Sequence, residues 1–155
     1  MRTRKRRAFM AVPPVAALAV VVVATAVAGP SRRETPTKIT IPLRAQNHSG
    51  QSGIAVLTSN AAGTSFTVAI TMPKLHQPYN PAYIHNVTCA QYAHMTDFNA
   101  RYATINDSLE DLSRGRSTSE VYAPLAKRTT GRFSINIHAL RGQYPVIACG
   151  DIPKR

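Results

Sequence analysis

What is missing from this chain narrows its chemistry first. There is no glycine-rich phosphate loop, no serine or cysteine nucleophile beside an orienting base, and no metalloprotease helix. Acidic residues are scarce, 7 against 19 Lys and Arg. The one adjacent carboxylate pair, Glu110-Asp111, sits on a turn-like stretch where solvation is expected rather than acid–base work. No helical period is sustained and no internal repeat is present, so bundles and solenoids are excluded. Basic residues come as short dispersed pairs such as Arg32-Arg33, Lys127-Arg128 and Lys154-Arg155. With no basic helix and no aromatic stacking platform, nucleic acid is not an expected partner. Weak attraction to anionic envelope polymers or lipid headgroups is the most this charge implies, and the partner itself is unknown.

What is present begins with a targeting signal. The basic opening "MRTRKRR" leads into the apolar run "AFMAVPPVAALAVVVVATAVAG", which ends in the small-residue site Ala26-Val27-Ala28. Residues 1–28 therefore read as a signal peptide for export by the Sec route. Arg6-Arg7 followed by "AFM" also resembles a twin-arginine signal. An uncleaved membrane anchor is the alternative, since the run is about the ~20 residues a spanning helix needs, although Pro13-Pro14 interrupts it. No cysteine follows the cleavage point, which argues against a lipid-anchored product. Five of the 19 basic residues lie in the first seven positions, which leaves 14 against 7 acidic in the remainder, a formal +7.

Residues 29–36, "GPSRRETP", read as a disordered lead-in, and residues 37–155 as one domain. Short β-branched runs follow in close succession. "KITIPLRAQ" is a strand placed at an edge by Pro42. "SGIAVLTS" and "TSFTVAITM" flank the hairpin connection "NAAG". "AYIHNVT", "YATIN", "STSEVYA", "RFSINIHA" and "YPVIACG" complete the series. "SLEDLS" predicts one helical turn capped by Ser108, and "AQYAHMTDFNAR" reads as a long loop able to carry function. Many short strands punctuated by Gly, Pro and Asn make an all-β, antiparallel sandwich or flattened barrel.

The two cysteines, Cys89 and Cys149, suggest a disulfide in an exported chain, against the alternative of two buried thiols. Closing that loop is worth roughly 4 kcal/mol in the chain-entropy model.

Two histidines stand on strands. In "RFSINIH", Phe133, Ile135 and Ile137 point one way, and Ser134, Asn136 and His138 the other. In "AYIHNV", Ile84 inward turns Tyr83 and His85 outward. Both histidines are therefore expected on the outer surface of the sandwich, and they meet if their strands are neighbours. As plain surface residues they would bond to strand neighbours such as Asn136.

The "IH" four residues before Cys89, the later "NIHA" and the closing "ACGDI" resemble the copper–zinc superoxide dismutase superfamily. The similarity is greatest to its exported bacterial relatives, with their pattern "PAHIHxGTC … INVH … ACGDI". It spans about Thr37 to Pro153. It implies an eight-stranded Greek-key β-sandwich with Cys89 bonded to Cys149. It also implies that His85 and His138 match copper ligands, that Tyr83 replaces a copper-ligating histidine, and that His94 lies near the position of the metal-bridging one. The arginine that guides superoxide in the family is here Val146. The zinc ligands are absent, and the full two-metal site needs more histidines than the five in this chain.

The expectation is an exported superoxide-dismutase-like domain that has lost dismutase catalysis and acts as a non-enzymatic envelope or secreted binding protein. The alternative is a copper protein. Its site would be built on His85 and His138, helped by His94, Met95 or the Tyr83 phenol, and would have at most weak dismutase activity. Copper is the one cofactor this residue set admits, and zinc is not expected. His48 falls in the turn "QNHSGQ" and His76 in the loop "KLHQPYNP", neither with an assigned role.

Overall fold

The computed structural model describes residues 37–75, 77–140, 142 and 144–155. The signal segment, the lead-in and His76 lie outside the described residues.

Eight antiparallel strands form a nearly closed, barrel-like sheet in the order β5-β4-β7-β8-β1-β2-β3-β6. Their ranges are β1 Lys38–Ala45, β2 Gly53–Ser59, β3 Phe66–Thr71, β4 Ala82–His85, β5 Ile105–Ser108, β6 Arg116–Val121, β7 Phe133–His138 and β8 Val146–Ile152. The order is a Greek key. After β3 the chain crosses to β4 and turns into β5, returns to lay β6 beside β3, then crosses again to lay β7 beside β4.

Alternation decides what the two layers enclose. Ile39, Ile41 and Leu43 of β1, Leu57 of β2, Phe66, Val68 and Ile70 of β3, and Ile135 and Ile137 of β7 all point inward and are essentially inaccessible. Each such side chain contributes about 1.5–3 kcal/mol of burial. Gly115, at φ 76°, closes the turn into β6 beneath the Met72 carbonyl, which any side chain there would strike. At the β5 edge, Arg128 grips Asp107 through Nε (2.8 Å) and Nη2 (3.1 Å) while lying over the Phe133 ring.

Three sequence-based expectations are corrected. β1 is an interior strand, between β2 and β8. Its ladder to β8 covers only Arg44 and Ala45, so at Pro42 the strand is paired on the β2 side alone and the missing N–H is tolerated. "SLEDLS" is not helical. Leu109 and Leu112 are both buried, and the stretch runs as a strap because its backbone bonds go to another segment, Leu109 N–H donating to Ala82 O and Leu112 pairing with Asn80. Helix forms instead within the expected loop, as α1 Cys89–His94 and α2 Phe98–Ala103. A capping box starts α1, with Thr88 Oγ1 accepting from Gln91 N–H while the Gln91 side chain accepts from Thr88 N–H. Asp97 caps α2 by accepting from Ala100 N–H.

No helix among the described residues is long and apolar enough to cross a membrane.

Candidate metal and ligand cavity

β4 and β7 pair directly, with Tyr83 opposite Asn136 and His85 opposite Ser134. Tyr83, His85, Asn136 and His138 therefore share the face turned away from the core, and the two imidazoles do meet, with ring centres 5.9 Å apart. They are not surface residues, however. His85 is 1% exposed and His138 4%. The reason is tertiary. The Cys89–Cys149 disulfide, Cα to Cα 5.9 Å, fastens the start of α1 to β8, and Cys89 N–H donates to Asp151 of β8. The α1–α2 segment then covers the face, with Tyr92 edge-on to His85 at 4.7 Å.

The hydrogen-bond partners also differ from the expected strand neighbours, and they settle the tautomer of each ring. His138 Nδ1 lies 2.6 Å from the Tyr144 carbonyl. A carbonyl only accepts, so Nδ1 carries the proton and Nε2 the lone pair. His85 Nδ1 lies 2.8 Å from Thr104 Oγ1. That hydroxyl spends its own proton on Arg101 O at 2.7 Å, so it accepts from His85. Both Nε2 atoms are buried and have no hydrogen-bond partner among the described residues. Tyr144 reaches His138 from a left-handed backbone, φ 51°, immediately before Pro145. That conformation is unfavourable for a bulky residue and doubly so before proline.

Burial holds both rings neutral. Desolvation, and then the His138 ring, lower the His85 pKa to about 3. His138 is lowered by desolvation and by the Arg101 charge, against the opposing pull of the Tyr144 carbonyl. Desolvation raises the phenols of Tyr83 and Tyr92, with Arg101 partly offsetting the rise at Tyr92.

The imidazoles open onto a cavity of about 260 Å³. Tyr83 and Tyr92 share its walls with them, and Phe98, Arg101, Tyr102, Ile105 and Tyr144 line it as well. Neither His94 nor Met95 lines it, and His94 is exposed at the end of α1. Among the described residues, no group of three or more His, Cys, Asp or Glu side chains is placed to hold a metal ion. Val146, where the resemblance would put a guiding arginine, is buried in β8, and α2 brings Arg101 to the cavity. Sequence reading missed Thr104, Tyr92, Arg101 and Tyr144. The signal that marks α1 is the Thr88-x-x-Gln91 capping box, whereas nothing local marks Tyr144 as the acceptor for His138.

Comparison with protein-family models, curated proteins and solved structures finds no match to this chain.

Proposed function

We propose that this is an exported, superoxide-dismutase-like domain that binds copper through Nε2 of His85 and His138 and does not turn over superoxide. The observation that carries the reading is the pair of buried, neutral imidazoles. Each is fixed by an Nδ1–H donor bond, and each presents an unpartnered Nε2 lone pair. Metal-ligating histidines are usually oriented in this way by a carbonyl or other acceptor on the second nitrogen. The spacing fits a shared ion. A metal–nitrogen bond of about 2.0 Å on each side, plus the ring radii, places two ring centres about 6 Å apart at most. Here they are 5.9 Å apart.

Donor number and type favour copper. Zinc sites take four ligands or three and a water, whereas this cavity supplies two imidazoles with no thiolate or carboxylate. Imidazole suits copper, and a two-nitrogen set is sufficient for the monovalent ion. The nearby Arg101 charge further favours the lower oxidation state. The Greek-key sandwich and the Cys89–Cys149 bond support placement on the dismutase scaffold. The loss of the zinc ligands and of the bridging histidine supports the absence of catalysis.

The test is titration of the full chain with cuprous, cupric and zinc ions against chromophoric chelators. The expected result is one cuprous ion per chain, with zinc not retained and binding lost in His85→Ala and in His138→Ala. Copper that fails to bind, or that binds the two variants as it binds the parent chain, sinks the reading.

A further inference from the structure

The mouth of the cavity differs chemically from its floor. His85, His138 and Tyr92 are almost inaccessible, whereas Phe98 (47% exposed), Tyr102 (68%) and Tyr144 (48%) stand around the opening. Three large rings are thus left in water at one opening. Arg101 lines the same space, with its guanidinium 5.4 Å from the Tyr92 ring centre and its Nε buried without a hydrogen-bond partner. It forms no ion pair among the described residues, and no carboxylate lines the cavity. Its charge therefore goes unanswered.

We infer that the cavity mouth binds a small planar aromatic monocarboxylate, its ring among Phe98, Tyr102 and Tyr144 and its carboxylate on Arg101. An ionised carboxylate is the group that pairs best with a guanidinium, accepting from it in a charge-assisted bond. A flat ring suits the walls because aromatic groups gain edge-to-face and offset contacts that an alkyl chain does not. The size agrees. An apolar cavity of about 150 Å³ is enough to take up benzene, so about 260 Å³ leaves room for a ring together with its carboxylate. The inference rests on Arg101 and the exposed rings rather than on the imidazole nitrogens, so it stands or falls independently of copper.

The test uses the full chain without added metal, titrated calorimetrically with benzoate, benzyl alcohol and cyclohexanecarboxylate. Tyrosine emission is a second readout, since the chain has no tryptophan and four of its 6 tyrosines line the cavity. Benzoate is expected to bind saturably at one site, and both comparison compounds more weakly, benzyl alcohol by about tenfold or more for want of the charged bond. Arg101→Gln is expected to reduce benzoate affinity by a similar factor. Tyr102→Ala, at a position exposed enough to leave folding intact, is expected to weaken it severalfold. Unsaturable benzoate binding overturns the inference, as does benzyl alcohol or cyclohexanecarboxylate binding as tightly as benzoate. Should Arg101→Gln not fold, the Tyr102→Ala curve decides, and an unchanged curve overturns the proposal.

Discussion

Thr104 sets the protonation of His85. Its hydroxyl donates to Arg101 O at 2.7 Å and, having no other proton, accepts the His85 Nδ1–H at 2.8 Å. The residue that ends α2 thus determines which imidazole nitrogen on β4 keeps the free lone pair. His138 reaches the same state through a backbone carbonyl instead of a hydroxyl.

Thr104→Val keeps the shape but leaves the buried His85 Nδ1–H without an acceptor. The expected destabilisation is about 1–3 kcal/mol by urea unfolding, with a fall in copper affinity of about 10–100-fold. Thr104→Ser is expected to restore both. If Val and Ser behave alike, the hydroxyl does not orient the ring.

Acid is expected to weaken the fold through His85. Its folded pKa is about 3 against an ordinary 6.5. Between those values the unfolded chain binds a proton that the folded chain refuses, so stability falls as pH drops through the window and levels off below it. The full effect is on the order of 5 kcal/mol, and His138, shifted in the same direction, adds to it. Urea midpoints at neutral pH and at mildly acidic pH are expected to differ more for the parent chain than for His85→Gln. Equal differences would show that the imidazole is already free to take the proton in the folded state.

Replacing both cysteines with alanine removes the staple across a separation of 60 residues. A loss of roughly 4 kcal/mol is expected on loop-closure grounds. Under conditions where the variant still folds, α1 is no longer fastened over β4 and β7. The His85 and His138 ring protons, followed by NMR, are then expected to titrate closer to the ordinary histidine range. Unshifted titrations would mean that α1 holds its place without the bond.

Much of the fold is legible in local pattern. The alternation in "RFSINIH" and "AYIHNV" correctly assigns Phe133, Ile135, Ile137 and Ile84 to the core and turns His85 and His138 to the other face. The two cysteines are bonded as their context suggested. What escaped was α1 and α2, six residues each, too short for a hydrophobic period to emerge and begun by caps rather than by an apolar stripe. Without that cover, the non-core face reads as the surface. His94, which the resemblance alone singled out, stands exposed at the end of α1 and does not line the cavity.

Strand composition by itself determined the sandwich, the inward set of side chains and the face on which the histidines stand, because a period of two is a property of neighbouring residues. Burial of those histidines, the neutrality that follows from it and the direction of each Nε2 were decided only by the tertiary structure. They depend on Tyr92, Thr104 and Tyr144, brought over the sheet by a covalent tie and by backbone turns, and contacts between distant parts of a chain leave no periodic trace in its order of residues.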